Sequence, residues 1–154
     1  MRVGWGFDAH RFGAEPPLRL CGVVVDDDRG LAATSDGDVA AHAVADALLG
    51  AAALGDLGMH FPGDESTGAD SMNLLAQVVR MVADHGWEVA QVDLTIVAQD
   101  VRVAPHRAAM RRRLAEVLHT PIAEVSVKAT TTDEMGWLGR AEGIGAAAVA
   151  VINR

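Results

Sequence analysis

A single cysteine, Cys21, is all the thiol chemistry the 154-residue sequence carries, and it excludes an internal disulfide. A lone cysteine fits a reducing compartment. Long apolar runs are also missing: no uncharged stretch reaches the roughly 18 residues a membrane span needs. The N-terminus shows no charged-then-apolar leader, so the expected place is the cytoplasm, with no membrane partner. Basic charge is scarce as well. Lys and Arg number 13 against 21 Asp and Glu, a net charge of −8, which argues against a nucleic-acid partner. The same field would repel a phosphorylated ligand unless metal ions, backbone N–H groups or a few local cations offset it. What is present is a 50% hydrophobic composition, enough for one globular domain over residues 1–154 with a real core.

The chain is organised around Ser35-Asp36-Gly37-Asp38 and the apolar run that follows as far as Leu54. This reads as a helix entering a core, with Ser35 or Asp36 positioned to cap it. Asp38, His42 and Asp46 recur every four residues and therefore share a face. A polar stripe on an Ala/Leu/Val helix is costly to bury unless it binds something. The plainer alternative is one satisfied core histidine between two solvated acids. Asp8-Ala9-His10 favours the binding reading. Residues two apart on an extended chain point to the same side, and Arg2 to Phe7 alternates as a half-buried strand would. Asp8 and His10 could thus supply two ligands and His42 a third, leaving one position of a zinc tetrahedron open, as catalytic sites do. Asp46 is a candidate acceptor for the other ring nitrogen of His42.

The remaining segments supply scaffold and one further polar cluster. Leu18 to Val25 could form a second strand or hairpin. Asp26-Asp27-Asp28 is a solvated acidic turn without calcium-loop spacing. Gly55 to Asp64 is too glycine-rich to continue a helix, but can bring backbone amides close to a ligand. Ser71 to Asp84 is an amphipathic helix with Ser71 as its cap, Gly86 ending it and nothing catalytic on it. Val89 to Gln99 holds an alternating strand. Pro105-His106 opens another helix, whose Arg107, Arg111, Arg112 and Arg113 read as a solvated face. Val125 to Ala129 is a strand running into Thr130-Thr131-Thr132-Asp133, hydroxyls beside a carboxylate that would suit phosphates. Gly143 to Ile152 is a strand of small residues, suited to close packing at a subunit interface. The expected fold class is α/β (α+β): a roughly four-stranded sheet with helices on one face plus a small hairpin, compatible with a ferredoxin-like arrangement.

Four stretches carry a resemblance: Gly4–Phe12 (GWGFDAHRF), Ser35–Pro62 (SDGDVAAHAVADALLGAAALGDLGMHFP), Pro105-His106, and Lys128–Gly145 (KATTTDEMGWLGRAEGIG). In this order and spacing they resemble the 2-C-methyl-D-erythritol 2,4-cyclodiphosphate synthases of the non-mevalonate isoprenoid pathway, over essentially the whole chain. The resemblance implies a lyase that closes 4-diphosphocytidyl-2-C-methyl-D-erythritol 2-phosphate into a cyclic diphosphate and expels CMP. It implies a homotrimer with sites between subunits. It also implies one zinc per subunit on Asp8, His10 and His42, with magnesium or manganese accompanying the diphosphate.

Residue by residue, the same resemblance makes Asp8, His10, Thr34 and Ser35 substrate contacts as well. Asp56, Leu57, Gly58, Phe61 and either Asp64 or Glu65 would hold the hydroxyl-bearing part. The family usually has Asp directly after Phe-Pro, where Gly63 stands here. Ala98, Gln99, Asp100, Val101, Arg102, Val103 and Ala104 would form the cytosine pocket, largely through backbone. Val101 and Arg102 stand where Pro and Lys are common. Thr130, Thr131, Thr132 and Asp133 would face the diphosphate, with Thr131 stabilising the transition state. Asp133 would hold magnesium, in the place of the usual Glu. Trp137 and Arg140 are further contacts, and Arg140 with Glu142 matches residues lining the trimer channel. Thr34 occupies the position of a usual catalytic histidine, which predicts an active but slow cyclase. Two other classes remain open: a metal-dependent phosphohydrolase, which would yield a linear phosphate, and a non-catalytic paralogue binding a diphosphate or isoprenoid, which would show no turnover.

Overall fold

The computed structural model describes residues 1–62 and 68–154. Its main sheet is built from β1 (Arg2–Ala14), β4 (Gly30–Leu31), β5 (Glu88–Val97), β6 (Val125–Thr130) and β7 (Gly143–Asn153), in the spatial order β4-β1-β7-β5-β6. β2 (Leu18–Leu20) and β3 (Val23–Asp26) form the expected separate hairpin. Its turn is Cys21-Gly22, both in the left-handed region with φ of 52° and 73°.

β7 is central because it can be. Its Gly and Ala residues let it pair antiparallel with β1, from Arg2↔Ile152 to Arg11↔Gly143, and with β5, from Glu88↔Asn153 to Val97↔Gly145. β5 and β6 run parallel from Val92↔Val125 to Val97↔Thr130, joined by α4 (Arg107–Leu118) as a crossover helix. This corrects the ferredoxin-like expectation. There a third strand would separate the two strands of the βαβ unit, whereas here they are adjacent and β7 returns on the far side of β5. Strand number also differs, because the two-residue β4 adds a fifth strand beside Phe12 and Ala14.

The helices α1 (Val39–Ala52), α3 (Ser71–Asp84) and α4 supply the layer that buries one face of the sheet. Alternation does the sorting. Val92, Leu94 and Ile96 of β5 and Ile144, Ala146, Ala148, Ala150 and Ile152 of β7 are buried beneath that layer. On the other face of β1, Val3, Trp5 and Phe7 stand exposed, with Trp5 and Phe7 stacked at 6.1 Å between ring centroids.

One contact fixes the depth of α1. Gly4 and Gly6 of β1 face the helix so closely that a Cβ would stand 2.0 Å from the Ala47 carbonyl oxygen and 2.2 Å from that of Ala43. Only glycine permits this approach. Asp8 and His10 continue the same face of β1 one and two steps further on, opposite the first turn of α1. The start of α1 is held by Asp38, not by Ser35 or Asp36. The fully buried Asp38 carboxylate accepts N–H groups from Ala41, Cys21 and Gly22, tying the hairpin turn to the helix. That burial pushes its carboxyl up to about 6 despite the three hydrogen bonds. On α3 the cap differs in the opposite direction, one residue before the expected Ser71: Asp70 accepts from Met72 and Asn73.

Candidate active site

Three side chains from two elements meet where β1 passes α1. The Asp8 Oδ2 atom lies 3.0 Å from His10 Nε2 and 2.9 Å from His42 Nδ1. One ligating atom from each residue lies within 4.8 Å of the others, and this is the metal-ligand cluster found among the described residues. The His10 ring is oriented from behind. Its Nδ1 is 3.0 Å from the Gly37 carbonyl, which can only accept, so Nδ1 donates and the Nε2 lone pair turns toward Asp8.

A carboxylate oxygen facing imidazole lone pairs requires a cation between them. That donor set, two imidazoles and one carboxylate with room beside them, fits a divalent metal. Without a metal, protons must serve. Burial alone would raise the Asp8 carboxyl, but hydrogen bonds and charge from His10 and His42 outweigh it and hold it well below the usual carboxylate range. His10 is correspondingly raised: burial works against its charge, and the hydrogen bond and charge of Asp8 prevail. Metal and protons therefore compete for one set of lone pairs.

The cluster opens on a cavity of about 250 Å³ lined also by Ala33, Thr34, Ser35, Asp46, Leu57, Gly58, Phe61 and Leu74. Most of the residues expected at the metal and the hydroxyl-bearing part of a ligand are thus brought together. Asp46 lines it in a different role from the expected one. Its Oδ1 accepts the Leu57 N–H at 2.9 Å instead of reaching His42, because the chain folds back there into α2 (Leu57–His60). That short helix was not expected in a glycine-rich segment. Asp56 explains it by capping the Met59 N–H at 3.0 Å. Asp64 and Glu65 lie outside the described residues.

A second cavity, of about 630 Å³, opens at the carboxyl ends of the parallel pair β5–β6. Ligands commonly bind at such strand ends, where the two chains diverge into loops. It is lined by Ala98, Gln99, Asp100, Val101, Arg102, Val103 and Ala104, with Thr130 and Thr131 across from them. Arg29 braces its rim, donating to Asp26 at 2.8 Å and to Asp100 at 2.7 Å. Among the described residues none lines both cavities. Thr132, Asp133, Trp137 and Arg140 line neither. Thr131 Oγ1 lies 3.3 Å from Asp133 Oδ1, Thr132 donates to the Met135 carbonyl, and Arg140 pairs with Glu142 at 2.7 Å.

Sequence reasoning missed Ser71. It sits at the start of α3, 1% exposed, with its Oγ 2.9 Å from His42 Nε2 and in contact with Asp36. No local spacing signals that contact, which joins residues 29 apart.

The sequence model of the YgbB family matches residues 1–153. A 2-C-methyl-D-erythritol 2,4-cyclodiphosphate synthase of Pseudoalteromonas atlantica is 49% identical over 156 residues, covering 100% of this chain and 96% of that one. Among solved structures, the bifunctional IspDF of Campylobacter jejuni superposes with a TM-score of 0.95 at 39% identity, over 98% of this chain and 42% of that longer one. A 2C-methyl-D-erythritol-2,4-cyclodiphosphate synthase in a CDP-bound form superposes with a TM-score of 0.90 at 32% identity, over 99% and 100% of the two chains.

Proposed function

The chain belongs to the YgbB family, and on that premise we propose that it converts 4-diphosphocytidyl-2-C-methyl-D-erythritol 2-phosphate to 2-C-methyl-D-erythritol 2,4-cyclodiphosphate, releasing CMP for isoprenoid biosynthesis. One observation carries the reading: Asp8, His10 and His42 converge on a cavity lined by Thr34, Ser35, Leu57 and Gly58. An oxygen of the 2-phosphate bonds to the β-phosphorus while the bond from that phosphorus to CMP breaks, its electron pair leaving with CMP. Both reacting groups are anions, so the protein positions and neutralises them and has no proton to move.

Asp8, His10 and His42 would hold zinc, which when bound supplies a Lewis acid for a phosphate oxygen. Asp133 would share in holding magnesium or manganese, and Thr131 would donate to a phosphoryl oxygen. The loop Ala98–Ala104 would take the cytosine through its backbone. Because the two cavities share none of the described residues, we place the complete site between neighbouring subunits of a homotrimer. The exposed Val3, Trp5 and Phe7 suit that assembly. No helix among the described residues is long and apolar enough to cross a membrane. The buried, unpaired Cys21 supports a cytoplasmic setting.

Phosphorus NMR with authentic substrate tests the reading. Cyclic diphosphate and CMP should accumulate together. A linear phosphate would mean a phosphohydrolase. Absence of turnover with a filled metal site would mean a binding protein, the reading that Thr34 keeps in play.

A further inference from the structure

We propose that Ser71 is a positioning residue of the metal site: pinned as a donor to Asp36, its hydroxyl obliges His42 to donate from Nε2 and so to present the Nδ1 lone pair beside Asp8. The inference rests on the metal reading above and adds a residue to it.

The argument is one of counting donors. The Asp36 carboxylate is an acceptor for the Ser71 N–H at 3.2 Å, for the Asp38 N–H at 3.2 Å, and for the Ser71 hydroxyl. A hydroxyl has one hydrogen and two lone pairs. With its hydrogen committed to Asp36, Ser71 can offer His42 Nε2 only a lone pair across their 2.9 Å. Nε2 must then carry the ring proton. A neutral imidazole with Nε2 protonated has its free lone pair on Nδ1, which lies 2.9 Å from Asp8 Oδ2.

His10 is governed by the same logic, through the Gly37 carbonyl instead of a hydroxyl. Both imidazoles are thus clamped from behind as donors and turned with their lone pairs toward one point. For His42 the clamp comes from α3, a different element from the one that carries the histidine. Ser71 is 1% exposed, so water cannot take over when the hydroxyl is removed. The one fallback is Ser35, whose Oγ is 3.3 Å from the same nitrogen and spends one of its two lone pairs on the Gly37 N–H at 3.3 Å, which leaves it a longer and weaker acceptor than Ser71.

The test uses the full chain, stripped of metal and titrated with zinc against a chromophoric chelator. Partners behind a metal-bound histidine typically contribute about 10–100-fold in affinity. Ser71→Ala should lose about that much, Ser35→Ala less, and Ser71→Thr should return toward wild type. The readout that a merely structural contact would not move is the His42 ring itself. By nitrogen NMR of the zinc-loaded protein, Nε2 should carry a slowly exchanging proton in wild type, and exchange should speed up in Ser71→Ala. A folded Ser71→Ala that keeps zinc affinity within about twofold of wild type would overturn the proposal, since the expected loss is larger. So would a His42 that binds zinc through Nε2. Should Ser71→Ala fail to fold, Asp36→Ala poses the same question, because removing the acceptor altogether frees the hydroxyl to donate to His42; unaltered affinity there overturns the proposal too. A wild-type chain that takes up no zinc refutes the metal reading itself, a different failure from loss of the Ser71 role.

Discussion

Exchanging one glycine for alanine should have opposite effects on the two sides of the β1–α1 contact. At Gly6 the added Cβ would lie 2.2 Å from the Ala43 oxygen and 2.6 Å from the Ala47 nitrogen. Carbon prefers such neighbours at about 3.5 Å, so α1 must withdraw by roughly 1 Å. Both colliding atoms are backbone, which leaves no side chain free to swing aside. Overpacking of this kind costs about 1–3 kcal/mol, and the rigid partners put Gly6→Ala at the upper end, about 3 kcal/mol. For a chain of this size each kcal/mol lowers the melting temperature by about 2–4 °C, so a fall of roughly 6–12 °C is expected. At Gly50, inside α1 and exposed, the nearest atom to an added Cβ is the Trp5 oxygen at 3.9 Å. Gly50→Ala should therefore gain about 1 kcal/mol of helix propensity and melt a few degrees higher. The two variants also separate stability from the site. His42 rides on α1 and Asp8 on β1, and metal–ligand distances tolerate only about 0.2 Å. Gly6→Ala should lose zinc affinity, and Gly50→Ala should keep it. Calorimetry of metal-free protein and chelator competition read the two effects. A Gly6→Ala variant that melts with wild type would refute the close-approach argument. One that melts low yet binds zinc normally would refute the transmission to His42.

Further expectations concern the site directly. His42→Ala should bind no zinc by elemental analysis, because three protein ligands are the usual complement of such a centre; unchanged zinc content would remove His42 from it. Thr34→His should raise kcat by up to about 10²–10³, the usual worth of one good electrostatic donor, with KM moving less; Thr34→Ser should be nearly neutral in the same steady-state assay. The metal-free protein should lose stability as pH rises above the ordinary histidine value of 6.5 and through the raised value of His10, since the folded state holds that proton more tightly than the unfolded chain. With metal bound the lone pair is already occupied, so melting temperatures recorded from pH 6 to pH 9 should show the decline only in chelator-treated samples; a flat metal-free profile would refute the proton–metal competition.

The triad was legible because its parts are local. Asp8 and His10 share a strand face by alternation, and His42 falls on a helix whose apolar run is continuous. Helix α3 was legible for the same reason, since Leu74, Leu75, Val78, Val79 and Val82 mark its buried side. What surrounds the triad was not legible. Asp46 has the right spacing to serve His42, yet the fold turns it to the Leu57 N–H, while Ser71 arrives from another helix. Caps were misjudged by one to three residues because Ser35, Asp36, Asp38, Asp70 and Ser71 are all competent, and only tertiary contacts choose among them. Asp38 won by reaching the hairpin turn as well as its own helix. Sheet order was hidden for a related reason. The small residues of β7 announce close packing but not between which strands, and Gly30-Leu31 is too short to announce a strand at all.

β1 carries two messages written on alternate letters. Its even positions from Gly4 to His10 are addressed to α1 and spell close approach followed by ligands; its odd positions from Val3 to Phe7 are addressed outward and spell an aromatic, apolar surface. A substitution edits one message without changing which way the other faces: replacing Trp5 alters the outward surface and leaves Asp8 and His10 turned toward α1. Deleting or inserting one letter is another matter. It would shift the reading frame, send Trp5 and Phe7 toward the helix and turn Asp8 away from His42. Within this strand a substitution alters one message, whereas a change of length scrambles both.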